Sequence, residues 1–178
     1  MSGTDRARRF EAAVLPHLDA AYNLARWLLR DEQNAQDVVQ DAYLRAFRFF
    51  DGLRGGDARP WLLSIVRNSC FTWLRERACD HVEFDDERDS DQHDPVLHEA
   101  IDGPERLLER KLERTQVNAA IAMLSPLFRE VLILRELESL SYEEIAQVVG
   151  IPVGTVMSRL SRARSMLRTA LAAADEED

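Results

Sequence analysis

Residues 141–167 read SYEEIAQVVGIPVGTVMSRLSRARSML. Ser141 stands three residues ahead of Glu144, the spacing of a capping box, in which hydroxyl and carboxylate each satisfy a backbone N–H at a helix start. Ile145, Ala146 and Val149 then share one face of a short helix predicted over Tyr142–Val149. Gly150 supplies a residue that turns left-handed without steric cost, so a second helix can leave at a steep angle. Pro152 opens that second helix, and Val153 and Val156 pack it back on the first, with small Gly154 beside them. Its outer side is expected to carry Thr155, Met157, Ser158, Arg159, Ser161, Arg162, Arg164 and Arg168. Between Pro152 and Leu171 there are four arginines and no acid. This is the layout of a helix-turn-helix, whose second helix enters the major groove with its N-terminal residues near base edges. Arginine suits that place because it pairs bidentately with guanine or neutralises a phosphate. The plainer alternative is a solvated helix in an ordinary bundle.

Upstream, the helical period continues. From Pro104 the spacing of Leu107, Leu108, Leu112, Val117, Ala120, Ile121 and Leu124 predicts a helix over 104–124. Ser125-Pro126 ends it and opens the next, expected from Leu127 to about Glu138. Residues 79–103 have no period, and the run DHVEFDDERDSDQHDP cannot bury a core, so the segment reads as an extended linker. Before it, residues 6–30 carry an apolar stripe from Phe10 to Leu28, with Pro16 a kink or a short break. Asp31 caps a second helix with the stripe Ala35, Val38, Val39, Ala42, Tyr43, Ala46 and Phe47, ending near Phe50 before the glycines of 51–56. Asp57 caps a third, with Pro60 in its first turn, running to about Arg77. No segment has a strand period. The expected fold class is all-α: two small helical domains joined by a flexible acidic linker.

Charge divides the chain in the same places. The 178 residues carry a net charge of −9. Residues 1–78 hold 12 basic and 10 acidic side chains, and residues 104–171 hold 10 and 8. Residues 79–103 hold ten acids against Arg88 alone, and the C-terminal tail holds only acids. The acidity therefore lies in linker and tail, and both helical blocks are mildly basic, a balance that suits nucleic-acid contact. With 46% hydrophobic residues the chain can pack a core. No apolar run is long enough to span a membrane, and the N-terminus has no apolar signal core. Cys70 and Cys79 are too few for a disulfide framework, so the expected location is the cytoplasm. Neither these cysteines nor the four histidines have metal-ligand spacing. There is no phosphate-cradling loop, no nucleophile elbow and no paired carboxylates, so no cofactor, no metal and no enzymatic activity are expected.

EEIAQVVGIPVGTVMSRLSRAR resembles the region-4 helix-turn-helix of extracytoplasmic-function (ECF) sigma factors of bacterial RNA polymerase. DEQNAQDVVQDAYLRAFRFF is similar to region 2.2 of the same family, and ARPWLLSIVRNSCFTWLRER to regions 2.3–2.4. The resemblance covers about residues 8–78 and 104–171, in the family's order. It implies region 2 over 1–78, a linker over 79–103, region 4 over 104–173 and an acidic tail over 174–178.

The function implied is that of a subunit that binds core RNA polymerase and directs promoter-specific initiation. A free-standing helix-turn-helix regulator is the alternative. Thr155, Met157, Ser158, Arg159, Arg162 and Arg164 would read the −35 element as duplex DNA. Arg54, Arg59, Trp61, Arg67 and Asn68 would contact the melted −10 element, although Trp61, like Trp73, suits a core better than a base stack. Of Phe47, Phe49 and Phe50, three aromatics in four helical positions, one is expected to be exposed beside that site. Asp37, Gln40, Asp41 and Arg45 would dock on the polymerase; on residue type alone they are also a plain solvated face. The linker would thread the polymerase's RNA path, where its charge density imitates a nucleic-acid strand. An anti-sigma factor is a further partner that the family implies, and no insertion into a membrane is expected.

Overall fold

Pro16 breaks the first helical stretch. Proline has no N–H to donate, so α1 (Gly3–Val14) gives way to a 3-10 turn at Leu15–His17 before α2 (Leu18–Leu29). Arg30 closes α2 in the left-handed region (φ +56°), and its N–H reaches the Arg26 carbonyl. Asp31 then caps α3 (Glu32–Phe49), its carboxylate accepting from the Asn34 N–H at 2.8 Å. Asp57 accepts from the Arg59 N–H at 2.9 Å at the head of α4 (Ala58–Asp80). The computed structural model describes residues 3–53, 55–80 and 104–176, and the statements below concern these. Arg54 and residues 81–103, which hold most of the expected linker, lie outside them.

The C-terminal block comprises α5 (Pro104–Met123), α6 (Pro126–Glu136), α7 (Tyr142–Val149) and α8 (Val153–Glu176). The capping box forms in both directions: Ser141 Oγ accepts from the Glu144 N–H at 3.1 Å, and the Glu144 carboxylate accepts from the Ser141 N–H at 2.7 Å. Gly150 ends α7 at φ +76°, where a side chain would be strained even though no neighbour crowds the position. The first helix starts at Gly3 and α6 ends at Glu136, and two further helix ends shift the expected domain bounds. α4 continues to Asp80, taking Cys79 and Asp80 from the linker, and α8 continues past Ala173 to Glu176, taking residues 174–176 from the tail. No breaker residue stands at either place.

In the N-terminal block α2, α3 and α4 pack on one another, and Phe10 of α1 sets its ring edge-on to Tyr43, Phe47 and Phe50 at 4.9–5.3 Å. In the C-terminal block α6 is central, and all six residues from Arg129 to Leu134 are buried. A helix buried on every side must have neighbours on every side. Its own block supplies α7 and α8; the remaining face is covered by α2 of the other block. α4 likewise packs on α7. The two blocks therefore share one continuous core, from Phe10 and Leu24 through Leu63 to Ile133, Ile145 and Leu160. Each large apolar side chain so buried contributes about 1.5–3 kcal/mol.

Candidate nucleic-acid and polymerase interface

The expected −35 reader is the start of α8. Met157 and Ser158 are exposed, Thr155 is half-buried, and the Ser158 hydroxyl donates to the Thr155 carbonyl at 3.1 Å. Arg162 is exposed and forms no ion pair among the described residues. The other two arginines are less free than the spacing implied. Arg164 donates from Nε and Nη2 to one Glu136 oxygen, at 3.0 and 2.6 Å. Arg159 is turned inward, its side chain 23% exposed, with Nη1 3.6 Å from the Glu130 carboxylate. Its expected full exposure is thus corrected, because α6 presents a buried acid on that side of α8.

The expected −10 residues lie on α4. Asn68 is exposed, and its Oδ1 accepts from Arg67 at 3.3 Å. Trp61 is half-buried, with its ring 6.4 Å from that of Phe50, so it closes the core more than it offers a stacking face. Arg54 is outside the described residues. Phe49 is the exposed member of the aromatic trio, at 66%, whereas Phe50 is buried. It stands two residues before the glycine-bearing loop and adds an apolar face at the edge of this site.

Arg59 and Arg67 are both engaged by the opposite block. Arg67 forms a forked pair with Glu130, at 2.7 and 3.1 Å, and its guanidinium lies 4.0 Å above the Phe71 ring. Arg59 donates to the backbone carbonyl of Glu138 and stands 3.4 Å from its carboxylate, which also accepts from Asn23 at 2.6 Å. Glu130 is fully buried. Burial pushes its carboxyl up from the ordinary range, and the hydrogen bonds from Arg67 oppose that shift. Beside it Arg129, also buried, donates to five main-chain carbonyls: Ile121, Ala122 and Leu124 near the end of α5, and Trp27 and Leu28 at the end of α2. Burial, with Arg30 nearby, draws this guanidinium down to about 10, so it stays charged at neutral pH. Its positive charge rests on the C-terminal ends of two helices, where the helix dipoles favour a cation. None of Asn23, Arg129, Glu130 and Glu138 was singled out from the sequence. The available signal was the charged pair set against the apolar run VLIL in a helix with no polar face.

The expected docking residues lie on α3. Asp37, Gln40, Asp41 and Arg45 are all exposed and follow helical spacing along one side. Leu44, 55% exposed, lies on the same stripe seven residues after Asp37 and adds an apolar side chain to it. Gln33 donates to Asp37 at 3.4 Å.

Two family models match the two blocks. Sigma-70 region 2 covers residues 13–79 and Sigma-70 region 4 covers residues 114–167. The RNA polymerase sigma-H factor of Pseudomonas aeruginosa is 36% identical over 168 residues, spanning 92% of this chain and 86% of that protein. The ECF RNA polymerase sigma-E factor of Escherichia coli K12 is 38% identical over 135 residues, spanning 74% and 70%. The chain belongs to the ECF sigma factors. As a sigma factor it directs promoter-specific initiation by RNA polymerase, which replaces the reading as a free-standing regulator. Among solved structures, the sigma factor RpoE from Bartonella quintana, in complex with the anti-sigma factor NepR, matches with a TM-score of 0.76 at 28% identity, over 93% of this chain and 98% of that one. CnrH, in complex with the cytosolic domain of CnrY, matches with a TM-score of 0.67 at 26% identity, over 94% and 90%.

Proposed function

We propose the following division of labour within this sigma factor. Residues 1–78 form region 2, which docks on core polymerase through Asp37, Gln40, Asp41 and Arg45, with Leu44, and engages the melted −10 element through Arg54, Arg59, Arg67 and Asn68. Residues 104–173 form region 4, which reads the −35 duplex through Thr155, Met157, Ser158, Arg159, Arg162 and Arg164. Residues 79–103 are the acidic linker between them, and 174–178 the acidic tail. The observation that carries this reading is the pair of exposed faces in separate blocks: a mixed polar and apolar stripe on α3, and the start of α8 with Arg162. The chemistry of RNA synthesis belongs to the polymerase, and this chain acts without catalysis of its own. Its place of action is the cytoplasm, alongside the polymerase; no helix among the described residues is long and apolar enough to cross a membrane. An anti-sigma factor is a further partner of this chain, supported by the Bartonella quintana neighbour solved with one.

The test addresses the most accessible arginine. Arg162→Ala weakens promoter binding by the holoenzyme by about 1–3 kcal/mol if Arg162 pairs with a base. Affinity for core polymerase stays the same. Normal transcription by Arg162→Ala from a promoter that requires its −35 element would remove this helix from the reading role.

A further inference from the structure

Three of the six residues expected at the −35 duplex already direct a polar group elsewhere. Ser158 donates its hydroxyl proton to the Thr155 carbonyl, Arg164 donates to Glu136, and Arg159 leans on the Glu130 carboxylate. Arg162 and Met157 are exposed and stand five residues apart. About 140° of helix turn and about 7.5 Å of rise separate them, so they flank the outer face of α8 from opposite sides. Met157 is 54% exposed. The other exposed large apolar residue of α8, Met166, comes nine residues later on the reverse side, where it lines an apolar cavity with Met123 and Phe128. Gly154 lies one turn before Met157, and no atom stands within 4 Å of where its Cβ would be. With no side chain there, this edge of the helix can come close to the floor of a groove.

We propose that Met157 reads thymine: its side chain packs on the C5-methyl group of a thymine in the −35 duplex and so selects T at that base pair. The inference rests on the placing of α8 in the major groove made above. Thymine presents there an O4 acceptor and a methyl, the one apolar group that any of the four bases offers to that groove. A methionine side chain has no donor and its sulfur is a weak acceptor, so it cannot pair with an amino group or a carbonyl. What it does is exclude water. Against the methyl that exclusion is favourable. Against the amino group of cytosine or adenine it strands a donor, and against the O6 and N7 of guanine it strands acceptors. The selectivity therefore has an attractive and a repulsive part. An unbranched chain with three rotatable bonds also fits the methyl without backbone movement. Arg162, on the other flank, supplies donors only. The two flanks thus ask for different base edges: acceptors beside Arg162 and a methyl beside Met157.

The test uses holoenzyme assembled from the full-length chain and core polymerase. A −35 duplex is first selected by this holoenzyme from a pool randomised at those positions. Each thymine of the selected element is then replaced in turn by deoxyuridine, which removes the methyl and leaves the hydrogen-bonding edge intact. At one thymine the wild-type holoenzyme loses affinity about fourfold, as expected for one buried methyl group. Met157→Ala binds the thymine and uracil duplexes equally, and it loses the preference for T over C at that position. Met157→Leu keeps the thymine preference, since it keeps the apolar contact. Both replace an exposed helical residue by a good helix former, so the melting temperature stays the same. Arg162→Ala weakens binding to both duplexes alike and preserves their ratio. A selected element with no thymine whose methyl counts overturns the inference, and so does a wild-type ratio in Met157→Ala. In either case a loss of binding in Arg162→Ala leaves α8 as the reader and removes only the role of Met157. If neither Arg162→Ala nor Met157→Ala changes promoter binding, α8 is not the reader, and the inference falls with that assignment.

Discussion

Arg129 spends every nitrogen of its guanidinium on main-chain oxygen, and its neighbour Glu130 spends both carboxylate oxygens on arginines. Helix ends leave carbonyls without partners, and inside a protein each must find a donor. Arg129→Met strands the carbonyls at the ends of α2 and α5 together and costs about 3 kcal/mol or more in urea denaturation. Arg129→Lys recovers less than half of that, because an ammonium has three donors and no planar fork. A loss below about 1 kcal/mol in Arg129→Met would mean that water satisfies those carbonyls and the residue is no fastener. Cys70 gives a second check at this scale. Burial pushes its thiol up to about 12, Arg67 opposes the shift weakly, and Cys79 is exposed. The thiolate is the reactive form, so at pH 8 an alkylating reagent modifies Cys79 and spares Cys70 until denaturant is added. Equal rates at the two cysteines in the native chain would contradict the burial. Residues whose partners lie a few positions away, such as Asp31, Asp57 and Ser141, were legible from the sequence, since a cap and its N–H are fixed by local geometry. Glu130 was not legible, because its main partner is 63 residues distant and nothing in spacing connects them.

Among the elements, α3 separates core from surface most cleanly. Ala35, Val38, Ala42 and Ala46 are buried, while Asp37, Gln40, Asp41, Leu44 and Arg45 face out. The small buried residues let α3 lie close to α2 and α4, so the helix does not depend on its outer face for stability. Asp41→Lys and Arg45→Glu, made separately, each lower affinity for core polymerase about tenfold, equivalent to about 1.4 kcal/mol, while circular dichroism and melting temperature stay the same. Unchanged core affinity in both would return the stripe to a solvated face. The helices themselves were legible because apolar residues at three- and four-residue steps leave few alternatives. Pro16 offered a kink or a break, and periodicity could not choose, since both are consistent with the lost N–H. The ends of α4 and α8 were missed because composition signals charge, and charged residues continue a helix readily when no glycine or proline stops them.

At the scale of the whole molecule, periodicity indicated that each block has a buried face but was silent on what covers it. The two expected helical domains are found, and what periodicity left out is that they pack on each other through a continuous core: a face of α6 left over in its own block is the kind of fact only packing reveals. The linker belongs to this scale too. Replacing Asp85, Asp86, Glu87, Asp89 and Asp91 by Ser and Gln at constant length weakens core binding at low salt and narrows the difference at high salt. Exposed charges attract over only about 8–10 Å at ordinary ionic strength, so a wild-type affinity in the neutral linker at low salt would reduce it to a tether. The Glu130 contact has one more consequence, for modular engineering. Region 2 and region 4 invite recombination between homologues, as though they were independent cassettes. Here they are not interchangeable, because Arg67 and Glu130 form an incompatibility pair divided between parent sequences. A hybrid that takes region 4 from a parent lacking the acid brings Arg67 and Arg159 together with no counter-charge, and its two halves repel in the resting state. Such hybrids would be less stable regardless of how well each half recognises its promoter element, and choosing parents by the residue at position 130 would set how firmly the halves join.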